Sequence, residues 1–298
     1  MTPQLCLGTA QFGLPYGITN AAGQVAEDAV APILDRAMEA GVRWLDTAQA
    51  YGNAEEVLGR HLPATHGFGL ISKLPVQPQA EFSARDAEVW EQAFRASCER
   101  LGVCNLNALL LHSPADLAKA GGQHLEDWLL SLRERGLVKR LGVSIYEAAD
   151  LDGLNPELLE LVQLPLSLFD QRLLQDGTVA RLRAGGSAIH ARSLYLQGLL
   201  LTPAVQWPDW VNSEARLHKE GLEALADQKG CQVIDLALGF AREQTDLEAV
   251  VLGVCSVNQL EALLQSWLSI SPWEKGEWRT WALNCPNSLD PRRWSAMS

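Results

Sequence analysis

The sequence predicts a (β/α)8 (TIM) barrel of the α/β class, and three observations predict it. Eight short apolar runs are bounded by turn residues, and segments of helical period lie between them. Four polar side chains, Asp46, Tyr51, Lys73 and His112, sit at or just beyond the carboxyl ends of successive runs. The runs are QLCLGTA, VRWLD, GLISK, LNALLLH, RLGVSI, ELVQL, SAIHAR and LEAVVLG. Most are continuously apolar rather than alternating, as strands covered on both faces require. Between them, EDAVAPILDRAMEAG places Val30, Ile33, Leu34, Ala37 and Met38 at helical spacing and stops at Gly41, while ARDAEVWEQAFRASCERLG runs to Gly102. HLEDWLLSLRERG and SEARLHKEGLEALADQKG carry the same period. An open doubly wound sheet is the competing arrangement, but the GxGxxG fingerprint is missing after the first strand, where GTAQFG stands.

At 298 residues the chain exceeds the usual domain, yet barrels run to about 250 residues or more as one unit. The expectation is a single barrel domain over 1–298 with a C-terminal tail from about residue 270. PAVQWPDWVN, residues 203–212, reads as a structured loop after the seventh strand. Its Trp207 and Trp210 and the tryptophans of the tail are expected to pack, with pocket lining as the second possibility.

A formal charge of −12 argues against a phosphate-tracking nucleic-acid surface, although a local basic patch could still bind an anionic cofactor. No apolar run approaches the roughly 18 residues of a membrane span. The N-terminus has no basic region ahead of its apolar residues, so no secretory signal is expected and the chain is placed in the cytoplasm. The six cysteines show no CxxC pair and no metal-ligand spacing, which makes them reduced thiols and predicts no metal site. His61, His66, His124, His190 and His218 lack ligand-spaced partners and read as structural. The expected partner is a small molecule, and no residue pattern sets an oligomeric state.

In a parallel barrel the carboxyl ends of all strands open on one face, so Asp46, Tyr51, Lys73 and His112 can converge there. A phenol with a pKa near 10 is a poor acid at neutral pH, and a neighbouring ammonium lowers that value. Lys73 can supply the charge, Asp46 its counter-ion, and His112 a neutral donor to a carbonyl oxygen. Taken singly, these would be a helix cap, a loop anchor, a solvated strand end and a core histidine. Together, in this order, they are a kit for moving a proton beside a carbonyl.

At this point the sequence resembles the aldo-keto reductases. WLDTAQAYGNAEEVLG is similar to their Asp-Thr-Ala and Tyr-Gly block, ISK to their strand-three lysine and LLLHSP to their strand-four histidine. The likeness continues through GVSIY, VQLPLSLFD, ARSLYLQGLL and VVLGVCSVNQLE, nearly the whole chain in order. The resemblance implies a nicotinamide cofactor bound across the carboxyl face and hydride delivery to a small aldehyde or ketone, with Tyr51 as general acid. It places Gly8 and Thr9 near the nicotinamide, Asp46 near its ribose, and Ser144 and Gln163 on the carboxamide. Ser193, Leu194, Leu196 and Gly198 would follow the pyrophosphate, and Gly253, Cys255 and Gln259 the adenosine. NADP(H) is the family's usual cofactor, with NAD(H) the alternative. Some relatives with similar GTAQFGLPYG and SLYLQGLL blocks accompany surface-polysaccharide pathways, an analogy that suggests a sugar-like carbonyl.

Departures from the family pattern fall at the cofactor site. Ile145 follows Ser144 where Asn is common, and Arg192 stands where an aromatic commonly stacks on the nicotinamide. Arg192 could stack there through its planar guanidinium or sit in a surface ion pair. Ala262 and Leu263 replace the usual adenine-holding Glu and Asn, and no Lys or Arg occurs from Gly253 to Leu263. Arg216 or Lys219, from the loop expected after the seventh strand, could substitute. Two rival readings exist: a regulatory barrel that binds cofactor and signals redox state to a protein partner, and a Schiff-base lyase or isomerase using Lys73. The first has no need of Tyr51 and Lys73 together, and the second leaves Asp46 and Tyr51 without a task.

Overall fold

The computed structural model describes residues 1–63 and 65–296. Eight parallel strands close into a barrel in sequence order: β1 Gln4–Gly8, β2 Trp44–Asp46, β3 Gly69–Leu74, β4 Leu106–Leu111, β5 Val138–Ser144, β6 Leu161–Pro165, β7 Ala188–Arg192 and β8 Ala249–Gly253. Each falls within or beside one of the apolar runs. Closure comes from β1 against β8, with Gly8 opposite both Asp46 and Gly253.

The helices longer than one turn are α1 Glu27–Glu39, α2 Ala54–His61, α3 Asp86–Leu101, α4 Gly122–Glu134, α5 Thr178–Ala184, α6 Ser213–Lys229, α7 Val233–Glu243 and α8 Val257–Leu268. One of these follows each of β1 to β4, β6 and β8, and two follow β7; the one-turn helices Ala10–Gly13, Arg172–Gln175 and Pro286–Leu289 are additional. The β5–β6 connection instead uses the 3₁₀ turns Ala148–Leu151 and Pro156–Leu158. Val30, Ile33, Leu34 and Ala37 of α1 are buried against the barrel, whereas Met38 is exposed at the end of that stripe. The left-handed residues Gly102 and Gly230 end α3 and α6.

Alternation along the strands sorts side chains into two cores. Leu109, Leu111 and Leu141 face the helices in the large outer core, while Ile71, Ala108, Leu110 and Leu161 form a small cluster of their own within the barrel. Ser72 points outward, where its hydroxyl and that of Ser97 each donate to buried Glu55 at 2.6 Å and Arg100 Nη2 reaches the other carboxylate oxygen at 2.6 Å. That network ties α2, and the loop before it, to β3 and α3. Lys73, one residue on, turns inward.

After α8 the chain continues in short turns that pack against α7. Trp273 donates to the Leu236 carbonyl, Trp278 to Glu243, and Trp294 stacks near Trp210. Trp207 donates to the Leu199 and Thr202 carbonyls. No helix among the described residues is long and apolar enough to cross a membrane.

Candidate active site

Backbone pairing carries the order of β2 and β3 past their last residues. Thr9 N–H donates to the Asp46 carbonyl, Thr47 N–H to Ile71 and Gln49 N–H to Lys73. The loop that follows is clamped by close approach: a Cβ on Gly13 would lie 1.9 Å from the Tyr51 carbonyl oxygen and 2.4 Å from the Ala54 nitrogen. Only glycine lets the first βα loop pack this closely against the segment that carries Tyr51.

Lys73 is fully buried and its ammonium has three oxygen partners, Asp46 Oδ1 at 2.8 Å, Asp46 Oδ2 at 2.7 Å and the Thr47 carbonyl at 2.9 Å. The Gln163 amide donates to Asp46 Oδ1 at 2.7 Å, so the carboxylate is engaged from two strands. Lys73 Nζ lies 5.1 Å from the centre of the Tyr51 ring, and the His112 ring stands edge-on to Tyr51 at 6.0 Å. The four residues from three βα connections therefore meet at one place.

Their electrostatics differ from expectation at one point. Burial pulls the Lys73 ammonium down, but Asp46 and, less strongly, Tyr51 more than offset it, so Lys73 is held charged. Burial, joined by the Lys73 and Arg192 cations, pushes His112 down to about 4, so the imidazole is neutral at physiological pH. For Tyr51, burial outweighs the pull of Lys73 and leaves the phenol above its ordinary value. The ammonium limits that rise rather than producing a net fall.

Tyr51 and Asp46 wall a cavity of about 560 Å³ that extends between β1, β7 and β8 to Ala262 and Leu263 on α8. Gly8, Thr9, Gln163, Arg192, Ser193, Leu194, Gly198, Gly253, Cys255 and Gln259 also line it. Ser144, Leu196, Lys73 and His112 are not among the wall residues; the first three are buried and His112 is half-buried against the Tyr51 ring. Ser193, Leu196 and Gln197 adopt left-handed backbone, with φ of 62°, 48° and 56°. Such conformations cost of order 1–3 kcal/mol each and persist at ligand clamps. Gly198 completes the turn at φ 95°, where a Cβ would fall 1.9 Å from Thr19 Oγ1. At the other end, Ser256 caps α8 by accepting from Gln259 N–H, and the Gln259 side chain accepts from Cys255 N–H.

A profile described as the aldo/keto reductase family matches residues 4–281. The chain belongs to the aldo/keto reductase family. Its members are generally NAD(P)H-dependent carbonyl reductases. A protein named aldo-keto reductase from Mycolicibacterium vanbaalenii is 37% identical over 123 residues, which cover 39% of this chain and 40% of that one. Another from Mycolicibacterium smegmatis is 32% identical over 137 residues, 44% of each. The chain thus spans less than half the length of the curated relatives it matches. Among solved structures, a glycerol dehydrogenase from Gluconobacter oxydans superimposes with a TM-score of 0.70 at 22% identity, covering 94% of this chain and 90% of that one. The holo form of an aldo-keto reductase from Bacillus halodurans gives 0.72 at 18%, covering 98% and 95%. These two share the fold.

Within this aldo/keto reductase, the structure corrects the expected substitutes for a phosphate-binding base. Arg216 and Lys219 lie on α6 rather than on a loop. Arg216 donates to the carbonyls of Ala204, Trp207 and Pro208, and buried Lys219 pairs with Glu223. Neither walls the cavity. Nor do Trp207, Trp210 and the tail tryptophans Trp273, Trp278, Trp281 and Trp294, which pack elsewhere. Among the contributions missed from the sequence, two stand out beside the wall residues Tyr195, Gln197, Leu201, Thr202 and Ile234. Gln11 and the segment Tyr16 to Ala22 close one side of the cavity, and Tyr146 packs against Arg192 from outside it. The turn-rich GLPYGITNAAG between the first strand and helix was the available signal for the first; the second had none.

Proposed function

We propose that this chain is a reductase of small aldehydes and ketones in which Tyr51 is the general acid. The observation that carries the reading is the Asp46–Lys73 ion pair beside Tyr51, with His112 edge-on to that ring, at an elongated cavity walled by Tyr51 and Asp46. A nicotinamide cofactor, when bound, supplies the hydride. The cavity suits such a group, because the left-handed turn at 196–198 and the capped N-terminus of α8 border it where phosphates would lie. Ser144 and Gln163 would hold the carboxamide, and Gln163 would do so through its carbonyl oxygen, since its amide is turned to Asp46. Ser193, Leu194, Leu196 and Gly198 would flank the pyrophosphate, Gly8 and Thr9 the nicotinamide end, and Gly253, Cys255 and Gln259 the adenosine.

The residues divide the chemistry as follows. Neutral His112 donates to the carbonyl oxygen and aims it at the Tyr51 hydroxyl. Tyr51 gives its proton to that oxygen as negative charge develops there. Lys73 stabilises the phenolate left behind, and Asp46, tied to Gln163, keeps Lys73 in place. Among the described residues no lysine or arginine lines the Cys255 to Leu263 end of the cavity, and Arg216 and Lys219 are engaged elsewhere. That supports NADH over NADPH, against the family's usual preference.

Titration of the purified protein with NADH and NADPH, followed by tryptophan fluorescence and then by turnover on a panel of aldehydes and sugars, tests the reading. Tyr51→Phe is expected to lower reduction by about 10²–10⁴-fold with cofactor affinity nearly unchanged. Retention of most activity would remove Tyr51 from its role. Cofactor binding without turnover on any carbonyl would favour the redox-signalling alternative.

A further inference from the structure

Arg192 is the only cation among the described residues that wall the cavity, and Asp46 is the only acid. Asp46 cannot neutralise it, because both carboxylate oxygens are taken by Lys73 and one also by Gln163. Arg192 itself donates to neutral groups, the Ile145 carbonyl at 2.9 Å and Ser193 Oγ at 3.3 Å. With His112 and Tyr51 uncharged, the Tyr51 end of the cavity carries one net positive charge.

That charge is held rigidly. The Arg192 guanidinium lies 4.1 Å from the centre of the Tyr146 ring, and the Arg292 guanidinium lies 4.1 Å from the same centre. Two guanidiniums at that distance have room only on opposite faces. Arg292 is neutralised by bidentate hydrogen bonds to buried Asp290. The tail thus backs Tyr146, Tyr146 backs Arg192, and Arg192 alone of the stack meets the cavity.

We propose that this site binds the reduced nicotinamide cofactor in preference to the oxidised one, and that Arg192 is the residue that discriminates. The inference rests on the reductase reading. When bound, the cofactor would supply hydride to a carbonyl held by Tyr51, so its ring would lie at the Arg192 end. The dihydronicotinamide ring is neutral and electron-rich, and a guanidinium attracts such a ring. Loss of hydride to the carbonyl carbon, balanced by the Tyr51 proton going to the carbonyl oxygen, leaves the ring with a positive charge. Among the described wall residues no unpaired carboxylate offsets its repulsion from Arg192, and the pyrophosphate is the same in both forms of the cofactor. The oxidised cofactor is therefore released readily after each reduction and inhibits weakly.

The experiment is equilibrium titration of NADH and NAD⁺ against wild type, Arg192→Gln and Arg192→Tyr, read by calorimetry and tryptophan quenching. Glutamine keeps a donor for the Ile145 carbonyl without the charge, and tyrosine restores a flat neutral face. Wild type is expected to bind NADH at least about tenfold more tightly than NAD⁺. In both variants that ratio should fall about tenfold, mainly through gained NAD⁺ affinity. A wild-type ratio near one, or a parallel change in both affinities on substitution, would overturn the assignment. The same titration with NADPH and NADP⁺ covers the phosphorylated pair, and failure of wild type to bind any of the four would instead overturn the reductase reading on which it rests.

Discussion

Replacing Lys73 by methionine isolates the charge at the centre of the site. The ammonium lies 2.7 and 2.8 Å from the two Asp46 oxygens. At an effective dielectric of about 20 that contact provides about 6 kcal/mol of attraction. Taking each ion out of water costs several kcal/mol, so the intact pair nets close to zero. The single substitution is not neutral, however. Methionine keeps the length and apolar stem of lysine but leaves a buried carboxylate whose remaining side-chain donor is Gln163 at 2.7 Å. The expected loss is about 3–5 kcal/mol. In the double variant Asp46→Asn/Lys73→Met no ion is stranded, and most of that loss should return, giving a coupling of at least about 2 kcal/mol. Urea unfolding followed through the ten tryptophans measures each member of the cycle, with an unchanged m-value as the control. Lys73→Met within about 1 kcal/mol of wild type would show that the pair is not held in a dry interior. Additive single effects would show the same. Both Lys73→Met and the double variant should be inactive in carbonyl reduction, which separates catalysis from stability.

Gly13→Ala should displace the loop that carries Tyr51, because the new Cβ meets backbone atoms at 1.9 and 2.4 Å that cannot yield. Steady-state kinetics should show a drop of about 10²-fold in kcat/KM, and near-normal activity would show that this loop does not depend on the glycine contact. His112 gives a pH signature. Its folded-state pKa of about 4 lies below the ordinary value near 6.5, so the unfolded chain binds a proton that the folded chain does not. The contribution to stability is full above about pH 6.5 and is lost as pH falls toward 4, by roughly 3 kcal/mol. His112→Asn should flatten the fall in unfolding free energy between pH 7 and pH 4.5; an equally steep fall in both proteins would refute the shift.

The sequence by itself determined the barrel and the identity of the four residues at its mouth. Strands covered on both faces are largely apolar throughout, and that requirement writes most of the eight runs directly into the chain. A polar residue that ends such a run has one place to go, so Asp46 and Lys73 were legible before any contact was known. Tertiary structure decided what depends on depth and on distant partners. Whether burial or Lys73 sets the acidity of Tyr51 turns on how far the phenol is removed from water, and no spacing encodes that depth. Arg216 and Lys219 are kept from the cavity by a helix boundary and by carbonyls and an acid that they satisfy instead. The stack of Arg192, Tyr146 and Arg292 joins strand end, loop and tail across the chain, and it leaves no local pattern because each contact is made only when the barrel closes.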